Sequence, residues 1–166
     1  MAQELGIPFG VVKTALASFQ GIARRFEIIR ESPVTIVDDY GHHPVEIRAT
    51  LQAARQLWKK RRIWVLFQPH RYSRTKLLLR EFARCFGEAD RILVTDIYPA
   101  GEAPIRGVSG ERLAEEIRGA SFTPDHASLL ETVRRGIRPG DVVLTQGAGD
   151  IWKTGLGLLA RLTPTA

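Results

Sequence analysis

The chain is poor in cysteine and in long apolar runs, and each shortage excludes a class of protein. Its 166 residues contain one cysteine, Cys85, which excludes an internal disulfide framework and a zinc site built from several cysteines. No apolar run approaches the roughly 18 residues that a membrane-spanning helix needs. Residues 1–5 lack the basic start and apolar stretch of a signal peptide. We therefore predict a protein of a reducing compartment, by default the cytoplasm, with no membrane partner.

Lysine is also scarce, although the chain is basic. The net charge is +6, from 24 Lys+Arg against 18 Asp+Glu, and only Lys13, Lys59, Lys60, Lys76 and Lys153 are lysines. A basic chain favours an anionic partner, and guanidinium groups bind carboxylates and phosphates through paired hydrogen bonds. Codon bias would explain the surface arginines equally well.

Apolar runs alternate with helical patterns along the chain. Strands are predicted over residues 26–29 and 34–37, which form a hairpin, and over 63–67, 91–95, 121–123 and 141–145. Helices are predicted over residues 1–20, after Pro44, over 73–86, after Ser109, over 128–136 and from Asp150. Such alternation builds a parallel sheet with right-handed crossovers. The predicted fold is α/β, a Rossmann-like, doubly wound, mostly parallel open sheet flanked by helices.

In a sheet of this kind, ligands bind beyond the carboxyl ends of the strands. Four loops are predicted there, at residues 38–44, 68–74, 96–102 and 146–150. They contain nearly all the unusual polar residues of the chain and three of its four histidines. We therefore search these loops for a site.

The first loop admits three interpretations. Asp38, Asp39, His42 and His43 are of metal-ligating types, but neighbouring residues cannot all point at one ion. A turn with a helix-capping carboxylate is a second interpretation. Ligand contact is the third and favoured one, since a carboxylate at a strand end suits ribose hydroxyls and an imidazole suits a phosphate or carboxylate.

The second and fourth loops suggest anion binding less specifically. Arg71 and Arg74 lie three residues apart at a predicted helix start near Ser73, where both could reach one anion beside the helix N-terminus. A solvated basic helix start is the alternative. The segment 147–149, Gly-Ala-Gly, resembles a phosphate loop but lacks the Lys of a Walker A motif, and tight strand-to-helix packing explains it equally well.

No complete catalytic apparatus is visible in the sequence. The chain has neither a G-x-x-x-x-G-K-[ST] phosphate loop nor a G-x-S-x-G nucleophile elbow. Cys85 is predicted to be a buried structural thiol within a helix. We predict that Trp58, Trp64 and Trp152 lie in the core or in helix–sheet contacts and do not form a platform for single-stranded nucleic acid.

Four strings, at residues 21–27, 37–44, 67–74 and 96–105, resemble in order and spacing the C-terminal domain of the Mur ligases, the amino-acid-adding ligases of peptidoglycan synthesis. Two of these strings resemble the alanine-adding branch of the family in particular, through the runs Tyr-Gly-His-His-Pro and Gln-Pro-His-Arg-Tyr-Ser-Arg. The resemblance covers nearly the whole chain. It implies that residues 1–22 are the tail or linker helix of an upstream ATP-binding domain and that 23–166 are the C-terminal domain.

The resemblance implies an activity for the complete enzyme. ATP phosphorylates the lactyl carboxylate of UDP-N-acetylmuramate, the amine of L-alanine attacks the acyl phosphate, and phosphate leaves. The implied partners are these three substrates and the missing N-terminal and central domains of the same enzyme, with no nucleic acid. ATP and Mg²⁺ are implied as cofactors, with the metal ligands on the central domain and no metal site in this chain.

The resemblance also implies roles for individual residues. Arg25, or its neighbour Arg24, approaches the ATP phosphates, and Asp39 holds the ribose. The residues implied around the incoming alanine and the acyl phosphate are Tyr40, His42, Arg71 and Arg74. The residues implied to line the cleft are His43, His70, Tyr98 and Glu102.

The family's phosphate loop, modified lysine and UDP site belong to domains that this sequence does not contain. We therefore predict that the chain alone is inactive, either as an excised domain or as a truncated reading frame. One alternative is a stand-alone basic module that binds nucleotides or nucleic acid. Another is a metal-dependent phosphoesterase that uses Asp38, Asp39, His42 and His43.

Overall fold

A computed structural model describes residues 2–19 and 21–162. The strands are β1 Glu27–Arg30, β2 Thr35–Asp39, β3 Ile63–Phe67, β4 Arg91–Val94, β5 Ala120–Phe122 and β6 Val142–Gln146. The helices are α1 Phe9–Ser18, α2 Pro44–Leu57, α3 Tyr72–Leu77, α4 Leu79–Phe82, α5 Gly110–Glu116, α6 His126–Gly136 and α7 Trp152–Leu162.

The strands form one sheet in the order β1-β2-β6-β3-β4-β5. β1 is antiparallel to β2 at one edge, and every other neighbouring pair is parallel. Because β6 lies between β2 and β3, the chain crosses over it through α2 and returns to it through α6. The predicted doubly wound, mostly parallel α/β fold and the predicted hairpin are both confirmed.

Helices cover both faces of the sheet. Val65 and Leu144 pack with side chains of α2, α4 and α5, whereas Leu66 and Val143 pack with those of α6 and α7. Strands covered on both faces need apolar side chains at every position, which explains the continuous run from Ile63 to Phe67. No helix in the described ranges is long and apolar enough to cross a bilayer.

The first helix is shorter than predicted. It begins at Phe9 because Gly6, with φ +72°, and Pro8 interrupt the helical pattern, so Leu5 lies in the turns before it. The helix buries none of its side chains. Residues 1 and 20 of the predicted helix, and 163–166 of the predicted second domain, lie outside the described residues.

Two strands extend further into polar sequence than their apolar runs suggest. Asp38 and Asp39 were predicted in a loop but are buried in β2, and Gln146 is likewise buried in β6. These positions remain in the strands because their side chains find partners inside the protein. In contrast, Phe26 was predicted in β1 but precedes it, with φ +49°.

The helix predicted over residues 73–86 is divided into α3 and α4 and ends at Phe82. Cys85 therefore lies beyond the helix, which corrects its predicted location. Its thiol is buried as predicted, at 2% exposure, and burial raises its pKa to about 12. Trp64 is buried in the core as predicted, whereas Trp58 and Trp152 are half-buried at its margin.

Candidate functional site

The parallel strands end together at one edge of the sheet. Register places Asp39 beside Gln146, Gln146 beside Phe67, and Phe67 beside Val94. The loops that follow these four residues therefore converge, together with residues 24–26, which lead into the antiparallel β1. We call this region the carboxyl edge.

Arg24 joins two parts of the carboxyl edge. Its Nε lies 2.9 Å from Oδ2 of Asp38, and its Nη2 donates to the carbonyl oxygen of Gly147 over 2.7 Å. Asp38 is 2% exposed and accepts a second hydrogen bond from Oγ1 of Thr145, at 2.5 Å. Because the charge of Asp38 is compensated on both oxygens, this pair fixes the entry to β1 against the loop after β6.

The two arginines proposed for the ATP phosphates are therefore not equivalent. Both guanidinium carbons lie over the Tyr40 ring, 4.9 Å from its centroid for Arg24 and 5.4 Å for Arg25. Arg24 is half-buried and engaged with Asp38, whereas Arg25 is exposed. Arg25 is thus the better placed of the two to meet a ligand, and its contact with ATP stays a prediction.

Asp39 is held by four donors from the chain itself. Its carboxylate accepts from the amides of Phe26 (2.9 Å) and Gly41 (2.8 Å), from Oγ1 of Thr50 (3.1 Å) and from Nε2 of Gln146 (2.7 Å). Three of these donors reach Oδ1 and the Phe26 amide alone reaches Oδ2, so Oδ2 has one further acceptor position. Contact between Asp39 and a ribose stays a prediction.

His43, rather than an aspartate, caps helix α2. Its Nδ1 accepts from the amide of Val45 at 3.3 Å, and Oε2 of Glu46 accepts from the amides of His42 (2.9 Å) and His43 (3.0 Å). This reciprocal arrangement is a capping box, in which the helix-capping carboxylate of the second interpretation is that of Glu46 and not one of Asp38 or Asp39. Burial raises the pKa of Glu46, but the hydrogen bonds from the two amides outweigh it and leave the pKa lowered.

Four rings form a row across the loops after β2, β3 and β4. Successive centroids lie 5.6 Å apart from Tyr40 to His42, 5.5 Å from His42 to His70, and 5.6 Å from His70 to Tyr98. The last pair is stacked, with 10° between the planes. The structure thus brings together four of the predicted site residues from three separate loops.

Arg74 contacts the third ring of this row. Its Nη1 lies 3.2 Å from Nδ1 of His70 and 3.3 Å from the His70 carbonyl oxygen. The pKa of His70 is lowered, first by burial and then by the charges of His42, Arg74 and Arg71. A neutral His70 is therefore favoured at neutral pH.

Arg71 has a strained backbone and a different partner. It precedes α3 with φ +74°, its amide donates to the Tyr98 carbonyl over 2.9 Å, and its side chain is 49% exposed. Its Nη1 lies 3.8 Å from Oε1 of Glu102. The guanidinium groups of Arg71 and Arg74 therefore contact different partners and not one shared anion.

Glu102 occupies the predicted anion position at the start of α3. Its carboxylate accepts from the amide of Ser73 at 2.9 Å and from the Ser73 hydroxyl at 2.6 Å. These bonds lower the pKa of Glu102. A carboxylate of the chain itself thus lies at this helix start, and the contact of Arg71 and Arg74 with a ligand anion stays a prediction.

A polar network at the carboxyl edge was not predicted. Asp150 Oδ1 accepts from Nε2 of Gln68 at 2.9 Å and lies 3.1 Å from Nε2 of His126, whose Nδ1 lies 2.6 Å from Oγ1 of Thr154. Burial raises the pKa of Asp150, but the bonds from Gln68 and His126 outweigh it. Gln68 and Asp150 lie in the loops singled out by sequence, whereas nothing in the sequence points to His126.

The Gly-Ala-Gly segment at 147–149 is a close-packing feature. A Cβ on Gly149 would lie 2.7 Å from Cγ of Tyr98, and one on Gly147 would lie 2.7 Å from the Gln68 carbonyl oxygen. Gly147 also has φ +149°, which favours glycine. The two glycines are therefore explained by close packing, although the packing is against the loops after β3 and β4 and not of a strand against a helix.

The Asp and His side chains at the end of β2 and in the loop after it do not suit a metal ion. No group of three or more His, Cys, Asp or Glu that could hold one occurs in residues 2–19 and 21–162. The carboxylates of Asp38 and Asp39 are occupied by donors, and His43 caps a helix. The phosphoesterase alternative, which needs Asp38, Asp39, His42 and His43 on one ion, is not favoured.

Comparison with known proteins identifies the family. Residues 24–149 match the family model described as "Mur ligase, glutamate ligase domain". The chain belongs to the Mur ligase family. The matched part of this Mur ligase domain starts at the arginine pair Arg24 and Arg25 and ends in the loop after β6.

Individual relatives agree with this assignment. A UDP-N-acetylmuramate--L-alanine ligase of Geobacter sulfurreducens is 52% identical over 98% of the chain, and one from Anaeromyxobacter dehalogenans is also 52% identical over 98%. The crystal structure of UDP-N-acetylmuramate-alanine ligase MurC from Thermotoga maritima superimposes with a TM-score of 0.80 and 29% identity, over 96% of this chain and 34% of that one. The chain spans 36% of the length of both curated relatives and matches their C-terminal part.

Proposed function

We propose that this Mur ligase domain is the C-terminal, cleft-closing domain of an ATP-dependent ligase that joins L-alanine to UDP-N-acetylmuramate in peptidoglycan synthesis. The observation that carries the proposal is 52% identity over 98% of the chain to a curated ligase of that name. The polar loops gathered at the carboxyl edge agree with it, because that edge is where an α/β sheet presents its ligand contacts.

The proposed reaction needs positioning and charge neutralisation more than covalent chemistry from this domain. We propose that Arg25 meets the ATP phosphates and that Asp39 meets the ribose. We further propose that Tyr40, His42, Arg71 and Arg74 surround alanine and the acyl phosphate. The residues proposed to line the cleft beside them are His43, His70, Tyr98 and Glu102.

The remaining components are proposed to lie outside this chain. Mg²⁺ is proposed to bind the central domain, where it supplies charge neutralisation at the phosphates, since the carboxylates at the carboxyl edge already have protein donors. Residues 1–22 are proposed to be the tail of that upstream domain, which would cover the exposed Phe9, Val11 and Leu16 of α1. The complete enzyme is proposed to be cytoplasmic, and the isolated chain is proposed to be inactive.

The test is phosphate release by a fusion protein. This chain is joined to the N-terminal and central domains of the Geobacter relative and supplied with UDP-N-acetylmuramate, Mg-ATP and L-alanine. We expect release that depends on alanine, whereas the chain alone releases none. Arg71→Ala should reduce the release about 100-fold or more, because an arginine–carboxylate contact of about 3 kcal/mol is lost.

Arg84→Ala is the matched control, because Arg84 is an exposed arginine on the connection between α4 and β4. It should leave phosphate release unchanged. A folded fusion that releases no phosphate with alanine would contradict the proposed function. Release that is unaffected by Arg71→Ala would keep the ligase function and remove Arg71 from the site.

A further inference from the structure

The row of rings at the carboxyl edge contains two neighbouring imidazoles, of His42 and His70. A ligase of the proposed function, on which this inference rests, must convert the ammonium group of its amino acid into a neutral amine before that amine can attack. An imidazole accepts such a proton only through a ring nitrogen that carries a lone pair. The tautomer of each histidine therefore decides which of them can do so.

The neutral ring of His42 is protonated on Nδ1. That nitrogen lies 3.2 Å from the carbonyl oxygen of Tyr40, and a carbonyl oxygen only accepts hydrogen bonds. The proton is therefore on Nδ1, and the lone pair is on Nε2. Oε2 of Glu46, on α2, lies 3.9 Å from the same Nδ1, where its negative charge stabilises the imidazolium that forms when Nε2 accepts a proton.

The neutral ring of His70 has the opposite tautomer. Nη1 of Arg74 lies 3.2 Å from His70 Nδ1, and a guanidinium only donates hydrogen bonds. Nδ1 is therefore the acceptor, and Nε2 carries the proton. Burial, the guanidinium groups of Arg74 and Arg71 and, whenever His42 is protonated, its imidazolium oppose protonation of His70, while Glu102 favours protonation to a smaller extent. His70 is thus a neutral hydrogen-bond donor.

The other two histidines resemble His70 rather than His42. Nδ1 of His43 accepts the amide of Val45, so Nε2 carries its proton. Nε2 of His126 faces the carboxylate of Asp150, so Nε2 carries the proton there too. All four histidines lie in the described residues, and His42 is the one whose hydrogen bonding leaves the lone pair on Nε2.

We infer that His42 Nε2 is the proton acceptor for the ammonium group of the incoming amino acid, and that the neutral His70 donates a hydrogen bond beside it. One ammonium proton passes to His42, and the amine lone pair then forms the C–N bond at the acyl carbon. The C–O bond to phosphate breaks, and the phosphate leaves with the bonding electrons and a second amine proton. The third proton stays on the amide, and His42 returns its proton to solvent.

The charged and titratable groups around His42 are consistent with this role. Glu46 faces His42 from the first turn of helix α2. Tyr40 faces His42 from the position directly after β2, and His70 faces it from the loop after β3. Arg25 lies near Glu46 and over Tyr40, and Arg74 acts on His70. His42 is thus paired with one carboxylate on its protonated side, and its neighbour His70 is kept uncharged.

The tautomers can be measured on the 166-residue chain itself. Long-range ¹H–¹⁵N NMR spectra of the imidazoles, recorded above neutral pH, should show one ring with the Nδ1–H pattern and three with the Nε2–H pattern. His42→Gln should remove the Nδ1–H pattern, and His70→Gln should remove one of the others. An Nε2–H pattern for His42 would overturn the inference.

The catalytic role is tested on the fusion protein with two nucleophiles. Hydroxylamine is already neutral at neutral pH and needs no proton acceptor, whereas alanine does. His42→Gln should reduce kcat with alanine by about 10²- to 10⁴-fold and leave hydroxylamine-dependent phosphate release nearly intact. In the unsubstituted fusion, kcat with alanine should rise with pH to a plateau, and this rise should be absent in His42→Gln.

The outcomes separate the inference from the proposed function. If the unsubstituted fusion shows no alanine-dependent phosphate release, the proposed function is wrong, and so is the inference that rests on it. If that fusion is active and His42→Gln reduces release equally with both nucleophiles, His42 has a positioning role and the inference alone is wrong. Exogenous imidazole that restores alanine-dependent release in His42→Ala would support proton transfer directly.

Discussion

The two ends of the same sheet use arginine and aspartate for different purposes. At the amino ends of the strands, Asp141 accepts from Nη2 of Arg62 at 2.6 Å, the Trp64 indole at 3.1 Å and the Arg138 amide at 2.9 Å. Arg61 also donates to the carbonyl oxygens of Gly140 and Asp141 at this end. We call this region the amino edge, and its polar groups are saturated by the chain itself.

The carboxyl edge contains the strain and the incomplete pairing. Among residues 2–19 and 21–162, the four non-glycine residues with positive φ all lie there, namely Arg24, Phe26, Arg71 and Ala100. Within the described residues, the buried side-chain atoms that lack a hydrogen-bond partner are Oγ1 of Thr123 and Oε1 of Gln146, which follow or end β5 and β6. Residues in such conformations cost about 1–3 kcal/mol each and concentrate where ligands bind. The amino edge therefore stabilises the fold, whereas strain and unpaired buried polar atoms are found at the carboxyl edge, where we propose that ligands bind.

Asp141→Ala tests the amino edge and should have the largest effect on stability. It leaves Arg62 without its buried partner, so the free energy of unfolding should fall by about 3–5 kcal/mol. Urea unfolding followed by circular dichroism measures this loss. Glu131→Gln, which removes an exposed partner of Arg134 and Arg135, is the control and should be close to neutral. Equal losses of unfolding free energy in Asp141→Ala and Glu131→Gln would show that the buried ion pair stabilises the fold no more than the exposed one.

Gly149→Ala tests the close packing at the carboxyl edge. Its Cβ would lie 2.2 Å from Oε1 of Gln68 and 2.7 Å from Cγ of Tyr98, so these side chains must move. Overpacking of this kind lowers the free energy of unfolding by about 1–3 kcal/mol. Gly87→Ala, at a site where a Cβ meets nothing within 4 Å, is the control. A neutral Gly149→Ala would show that the loop after β6 adapts freely.

Arg71→Gly should raise the free energy of unfolding, in contrast to both variants above. The φ of +74° at Arg71 is unfavourable for a residue with a Cβ and ordinary for glycine, so about 1 kcal/mol is gained. Thermal unfolding detects this gain, and Arg84→Gly serves as the reference for the same change at a position without positive φ. A loss of stability in Arg71→Gly would mean that the Arg71 side chain stabilises the loop more than its backbone strains it.

The smallest expected effect is the change in the free energy of unfolding with pH. The pKa of His70 is lowered in the folded state, so below about pH 6.5 the unfolded state binds the proton first. Stability should therefore fall as the pH decreases from about 7 to 5, by less than about 1 kcal/mol because the ring is partly exposed. Urea unfolding at the two pH values, with and without His70→Gln, measures this contribution. An unchanged pH dependence in His70→Gln would show that the ring titrates normally.

Much of the fold could be predicted because it depends on local patterns. The apolar runs at 63–67, 91–95 and 141–145 each became a buried strand within one or two residues. The helix predicted over 73–86 ends at Phe82, although Phe82, Cys85 and Phe86 all keep the helical spacing that led to the prediction and are all buried, with both phenylalanine rings against Phe67. Polar strand ends were also missed, since Asp39 and Gln146 look like loop residues until they are paired with each other.

The sequence by itself determined the fold class, the edge of the sheet where the polar loops meet and the family that its motifs resemble. Those properties follow from periodicity and residue order along the chain. The tertiary structure decided what each side chain does, since hydrogen bonding depends on distances between residues far apart in sequence. Contacts of that kind made Glu102 the anion at α3 and joined Asp39 to Gln146. The opposite tautomers of His42 and His70 come from nearer partners, Tyr40 and Arg74, whose orientation depends on how the loops after β2 and β3 fold.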